Sequence, residues 1–288
     1  MHYHKPQTFA EAVQIAAAAS GVTRFLAGGT DVLVQLRAGT VTPDHLIDLK
    51  QIPGVHDIAR TADGGWKIGI AVSGLELGRH AEMVAEWPGV VEGMQLVGST
   101  QVQGRATLAG NLCNGSPAAD SVPGLVTAGA WVTVVGPNGS RDMAVEDIPA
   151  GPGRNVLKTG EIIAAILLPP RGKNGGDAYL RFIPRTEMDI AVVGVSVCLT
   201  LDGDRISAAR VALGAVAPKV LLASDAAAAI VGTSLDEAAI NALKAAVTAA
   251  AQPISDRRGT VEFRKDVVAV LAARAARIAY DRAKGGSK

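Results

Sequence analysis

The sequence predicts an α+β chain, two small α/β units followed by a third unit whose strands precede its helices. Three observations carry that prediction. Apolar strand-like runs alternate with capped helical patterns through the first part of the chain; a turn-rich stretch, Pro169-Pro170-Arg171-Gly172-Lys173-Asn174-Gly175-Gly176, interrupts it; and beyond that stretch the strand-like runs come first and the long helical ones last.

Thr8-Phe9-Ala10-Glu11 reads as a capping box, so the alanine-rich run behind it predicts a helix to Ser20, stopped by Gly21. Residues 23–26 predict a short buried strand running into Ala27-Gly28-Gly29-Thr30-Asp31, with a turn or two of helix at Val32 to Leu36. Residues 45–49 predict the strand that completes this unit. A second unit starts with a strand over residues 66–72 and a capping box, Ser73-Gly74-Leu75-Glu76, for a helix through Glu86. It continues through a helical pattern at 90–96, then Ser116-Pro117 as a cap with a first-turn proline for a helix to Ala128. Residues 131–135 and 141–145 around Pro137-Asn138-Gly139 predict a β-hairpin. After the boundary, residues 179–183, 190–201 and 205–213 predict strands, and 235–251 and 261–283 predict helices. The expected domains are therefore 1–172, divided near residue 58, and 177–284, with a length of 288 residues sufficient for each subdomain to bury a core.

Composition narrows the function. With 28 basic against 27 acidic side chains and 3% aromatics, neither nucleic acid nor an anionic membrane is an expected partner. Two cysteines, Cys113 and Cys198, are too few for a disulfide framework or a four-thiolate cluster. The opening Met1-His2-Tyr3-His4-Lys5-Pro6 lacks a signal-peptide layout, and the uncharged residues 121–140 are broken by Pro123, Gly124, Gly129 and Gly136, so the expectation is a cytoplasmic protein without a membrane span. His2 and His4 could chelate a metal only as a loose terminal pair, and they read instead as a solvated or lightly packed terminus.

The 33 glycines exceed the usual share of about 7% and gather in clusters. Gly151-Pro152-Gly153-Arg154 begins like a dinucleotide fingerprint but lacks its last glycine, and the segment to Lys158-Thr159 matches a P-loop only at its end. Two turns of one style remain. Ala27-Gly28-Gly29-Thr30-Asp31 presents successive N–H groups and a hydroxyl, and Thr107-Leu108-Ala109-Gly110-Asn111 adds a hydroxyl, a glycine and an amide; facing each other, they would hold both halves of a pyrophosphate without a lysine. Either turn taken alone is equally a plain tight turn.

These motifs, in order with Gly98-Ser99-Thr100-Gln101-Val102, Ser116-Pro117-Ala118-Ala119-Asp120-Ser121-Val122-Pro123, Arg181-Phe182-Ile183-Pro184-Arg185 and Pro253-Ile254-Ser255-Asp256-Arg257-Arg258-Gly259, closely resemble the medium, FAD-binding subunit of the xanthine dehydrogenase and carbon monoxide dehydrogenase family. The resemblance runs nearly end to end. It implies a FAD-binding PCMH-type region of two α/β subdomains, then a CO dehydrogenase flavoprotein C-terminal-like domain of a three-stranded sheet with helices. It implies that FAD lies extended between the subdomains. Leu26 to Asp31 (Ala27, Gly28, Gly29 and Thr30 between them) would wrap the pyrophosphate on one side, and Thr107, Gly110 and Asn111 on the other. Asp120 would bind the nucleotide part or its polar network, and Leu96, Ile163 and Arg181 would lie along the flavin. Asp120 as the cap of a local turn and Arg181 as an exposed strand residue are the alternatives. Two departures from the family pattern stand out: Ala109 where the first of two glycines is usual, and Arg181 where lysine is frequent.

The resemblance further implies electron transfer without substrate chemistry on this chain. A molybdenum-cofactor large subunit would oxidise the substrate, and a small subunit would pass electrons through 2Fe-2S clusters to FAD, possible in a dimer of heterotrimers, with NAD, a quinone or oxygen as terminal acceptor. None of the five histidines falls in the glycine motifs, so the flavin is expected to be non-covalent. A stand-alone FAD-dependent oxidoreductase is the alternative enzyme, and a cofactor-free scaffold the alternative of another class.

Overall fold

In the computed structural model, which describes residues 1–285, the chain opens with β1 (His2–His4), α1 (Phe9–Ala18), β2 (Thr23–Leu26), α2 (Val32–Arg37) and β3 (His45–Asp48). The strands make a parallel sheet in the order β1-β3-β2, which the intervening helices permit as crossovers. The terminus is a lightly packed strand, with His2 exposed and His4 half-buried, and both stack on His45 with ring centroids 5.2 and 5.3 Å away. Only half of the first capping box forms. Thr8 Oγ1 accepts the Glu11 N–H, but the Glu11 carboxylate takes the Gln7 N–H, and α1 ends two residues before Ser20 because Ala19 is extended. In β2 only Leu26 is buried, contrary to the expected buried strand.

Next come β4 (Ile58–Arg60), β5 (Trp66–Gly69), α3 (Gly74–Arg79), α4 (Ala81–Glu86), α5 (Pro88–Gln95), α6 (Thr100–Gln103), α7 (Leu108–Cys113), α8 (Ser121–Thr127), β6 (Trp131–Gly136), β7 (Gly139–Ala144), β8 (Pro149–Gly151), β9 (Arg154–Asn155) and β10 (Ile162–Leu168). Five of these strands form an antiparallel sheet, β4-β5-β10-β6-β7, and β8-β9 is a separate hairpin. The Ser73–Glu76 capping box is complete, but the helix it opens is broken at His80, whose Nδ1 accepts the Met83 N–H and begins α4 anew. Ser116 does not cap α8: its Oγ closes a local turn on the Ala118 N–H, and the helix begins at Ser121. The hairpin β6-β7 forms as its sequence implies, with Gly136 opposite Gly139.

The remainder is β11 (Gly175–Phe182), β12 (Val193–Asp202), β13 (Arg205–Gly214), β14 (Leu221–Leu222), α9 (Ser224–Ala228), α10 (Glu237–Ala250) and α11 (Val261–Ala283). The three long strands are antiparallel neighbours, and the two-residue β14 extends them at one edge. Helix α11 packs on β11 and β12, while α5 and α8 reach across from the preceding region to β11 and β13. Strand β12 is consequently buried along nearly all of its length, which is why it reads as a continuous apolar run.

Apolar side chains fall into two clusters. One joins Val13 and Ile47 of the first unit to Trp66, Met94, Leu125 and Val134 of the second, so these units share a core where separate cores were expected. The other collects Val197, Ile206, Leu243 and Leu271. Polar contacts tie the two together: Thr127 Oγ1 lies 2.7 Å from Ser196 Oγ, and Asp177 takes Arg171 at 2.7 Å and the Gly89 N–H at 2.9 Å. Among the described residues no helix is long and apolar enough to cross a membrane.

Candidate functional site

Strand β2 delivers the chain into the turn at Ala27 to Asp31. Gly29 sits at φ +82°, the left-handed region that glycine adopts without strain. A Cβ on Gly28 would lie 2.0 Å from the Arg105 carbonyl oxygen. Gly28 therefore serves to dock the turn against the backbone leading to Thr107, a different reason for glycine from the ligand clearance its sequence suggests. The N–H groups of Gly28, Gly29, Thr30, Asp31 and Val32 find no acceptor among the described residues.

That turn forms one wall of a cleft of about 1060 Å³. The neighbouring segment of the lining corrects the sequence reading: Thr107 to Asn111 is the start of α7 and no second turn. Thr107 is its N-cap, with Oγ1 accepting the Gly110 N–H at 3.0 Å. Asn111 Oδ1 accepts both the N–H and the hydroxyl of Ser121, at 3.3 and 2.7 Å, which fixes the amide and leaves its NH₂ without an acceptor among the described residues. The oxygen of Thr107 and the glycine at 110 thus serve the helix end.

A third wall was identified from the sequence only at Ile163. Residues 153–163 line the cleft with Arg154, Lys158, Thr159, Gly160 and Ile163, and Asn155 anchors the segment by donating to the Cys113 carbonyl at 2.9 Å. The segment is neither a Rossmann turn nor a P-loop; it is the β8-β9 hairpin and the approach to β10. Its signal was two cations in a glycine-bracketed stretch, visible once those fingerprints are set aside. Arg24 adds a further cation. Of the carboxylates in the lining, Glu161 is engaged by both guanidinium nitrogens of Arg141, at 2.6 and 2.9 Å, which holds its pKa down at about 2. Asp31 is exposed as a residue, yet atoms crowding its carboxyl desolvate it and raise its pKa. Burial pushes the Cys113 thiol up to about 12, so this lining sulfur stays protonated at neutral pH.

The cleft brings together Ala27, Gly28, Gly29, Thr30, Asp31, Thr107, Gly110, Asn111 and Ile163. Leu26 lies beneath the turn, close to Gly29. Leu96 ends α5 beside Val97, which does line the cleft. Asp120 and Arg181 sit outside the lining, in a buried cluster: Arg181 Nη1 donates to one Asp120 oxygen at 2.6 Å and the Tyr179 hydroxyl to the other at 2.7 Å. The Asp120 side chain caps no helix, and the Arg181 side chain is 6% exposed, which removes both local-turn and exposed-strand alternatives. Burial raises Asp120 to about 6 against the lowering pull of Arg181 and Tyr179, and raises Tyr179 well above its ordinary value.

Residues 1–171 match the family model described as the FAD binding domain in molybdopterin dehydrogenase, and residues 178–279 match the CO dehydrogenase flavoprotein C-terminal domain. The carbon monoxide dehydrogenase medium chain of Afipia carboxidovorans is 31% identical, over 98% of this chain and 97% of that one. The xanthine dehydrogenase FAD-binding subunit of Escherichia coli O157:H7 is 28% identical over 93% and 92%. Among solved structures, reconstituted CO dehydrogenase from Oligotropha carboxidovorans has a chain that superimposes with a TM-score of 0.93 at 30% identity, covering 98% of each. Quinoline 2-oxidoreductase from Pseudomonas putida 86 gives 0.89 at 25% identity, covering 99% of this chain and 98% of that one.

Proposed function

The chain belongs to the FAD-binding subunit family of the molybdopterin dehydrogenases, and from that premise we propose that it is the electron-transferring subunit of a heteromeric molybdenum hydroxylase. It is an oxidoreductase subunit and its cofactor is FAD. The residues fit that group: five N–H donors at Gly28 to Val32 and the side-chain NH₂ of Asn111, none with an acceptor among the described residues, line one cleft, as a pyrophosphate requires. This observation carries the reading.

In this reading residues 1–172 hold the cofactor and 177–284 brace it. Ala27 to Asp31 bind the pyrophosphate from one wall, Thr107, Gly110 and Asn111 from the other, with Leu26 supporting the turn. Ile163, Leu96 and Arg181 lie along the flavin, and Asp120, held by Arg181 and Tyr179, serves the polar network beside the nucleotide next to the Ser121 that Asn111 engages. FAD supplies the exchange of one or two electrons that joins one-electron carriers to a two-electron acceptor. Electrons come from 2Fe-2S clusters on a small subunit, after a molybdenum-cofactor subunit oxidises the substrate. The CO dehydrogenase relatives are named as medium chains, which supports such an assembly.

Acid precipitation of the purified protein is expected to release about one FAD per chain into the supernatant; FMN, or flavin kept in the pellet, would defeat the cofactor assignment. In the assembled complex, a variant emptied of FAD is expected to bleach its iron–sulfur centres with substrate while losing turnover with the natural acceptor. Full turnover without FAD would refute the electron-transfer role, and substrate oxidation by the isolated FAD-loaded chain would replace it with the stand-alone flavoenzyme.

A further inference from the structure

The cleft carries an imbalance of charge that its glycine turn does not explain. Arg24, Arg154 and Lys158 all line it, and none of the three forms a salt bridge among the described residues. Arg24 donates only to the neighbouring Thr23 carbonyl. Against them stand Asp31 and Glu161, and Glu161 is neutralised by its two-pronged pair with Arg141. Two positive charges are left in excess, matching the two negative charges of a dinucleotide's pyrophosphate.

The cations approach from separate elements. Arg24 stands on β2, Arg154 on the hairpin docked at the end of α7, and Lys158 on the loop before β10. Each is exposed, so none is needed for the core, and each keeps a mobile charge at the mouth. Resting on the FAD reading, we infer that Arg24, Arg154 and Lys158 form a cationic rim that holds the phosphates of FAD by long-range attraction, in addition to the backbone donors of the turn. The rim makes FAD affinity dependent on ionic strength, because exposed charges are screened within about 8 Å at physiological salt. It has no hold on riboflavin, which carries no phosphate.

The test uses the full chain stripped of flavin, with FAD, ADP and riboflavin as probes, followed by flavin fluorescence and calorimetry from low to high sodium chloride. The wild type is expected to bind FAD with an affinity that falls as salt rises, and to bind ADP competitively. The triple variant Arg24→Gln, Arg154→Gln, Lys158→Gln is expected to weaken FAD by about 100-fold at low salt, to flatten the salt dependence and to lose ADP competition, while riboflavin binding is unchanged. Lys158→Gln alone, a single exposed substitution that folding tolerates, is expected to weaken FAD by about threefold to fivefold. Unaltered FAD affinity with an unaltered salt dependence in these variants would overturn the rim and leave the FAD reading intact. A wild type that takes up no FAD at any salt concentration would overturn both.

Discussion

Two polar regions of this molecule are built to opposite rules. In the cleft, the turn at Gly28 to Val32 leaves five N–H groups without acceptors among the described residues, and Arg24, Arg154 and Lys158 form no salt bridge there. At Asp120, both carboxylate oxygens are taken by Tyr179 and Arg181, and the group lies buried between the two core clusters. The first region keeps donors unspent at the surface; the second is nearly complete in the protein itself, with Arg181 Nε its one buried atom lacking a partner. Donors kept free at a surface cleft are recognition groups, whereas charges answered inside cost stability when either is removed.

The largest expected effect breaks the first region. Gly28→Asp would drive a Cβ into the Arg105 carbonyl, undock the turn and add a carboxylate to it, so FAD affinity is expected to fall by about 100-fold or more, with some loss of stability but a circular dichroism spectrum that still reports a folded chain. A folded variant with full flavin content would remove the turn from the site.

The second region should fail through stability. Arg181→Met leaves Asp120 buried without its cation and is expected to cost about 3–5 kcal/mol in urea unfolding of the flavin-free chain at pH 8. The sign with pH follows from Asp120. Its folded pKa, about 6, lies above the ordinary 3.8, so its contribution to stability is fully present below about pH 4 and is lost as pH rises through 6. Asp120→Asn is expected to flatten that slope between pH 4 and 6; an unchanged slope would show that another group produces it.

The contrast also explains what the sequence made legible. The helical pattern located α11 to the residue; the Thr260 side chain that caps it, accepting the Phe263 N–H, is a local signal that the reading did not use. The turn at Gly28 was legible as glycine chemistry, but its true reason lies in Arg105, a backbone atom distant in sequence. The misread pieces depended on neighbours: His80 breaking a helix, Ser116 closing a turn, and Thr107 opening α7 where a free turn was expected. The pairing of Asp120 with Arg181 arises from tertiary packing, which no local pattern encodes, whereas the wall at 153–163 left a local trace in Arg154 and Lys158.

Thr107 sharpens the comparison at intermediate size. Thr107→Val removes the hydroxyl that caps Gly110 and is expected to cost about 1 kcal/mol of stability, with FAD weakened about tenfold as the α7 start loosens. A stability loss with undiminished FAD binding would confine Thr107 to the helix.

The smallest effect separates charge in the cleft from stability most cleanly. Arg141 stands outside the lining and reaches it only through Glu161. Its side chain is 43% exposed, so Arg141→Met is expected to cost less than about 1 kcal/mol in unfolding. The substitution nevertheless frees the Glu161 carboxylate, whose pKa then rises from about 2 toward the ordinary range, still ionised at neutral pH. An unmatched negative charge thereby enters the cleft wall, and FAD should bind about threefold more weakly at low salt, with the deficit closing as salt rises. Glu161→Gln in the same background should restore affinity, since it removes that charge. Restoration failing while the chain stays folded would mean that Arg141 acts on the cleft through structure, and that the charge of Glu161 is not what the cleft's affinity senses.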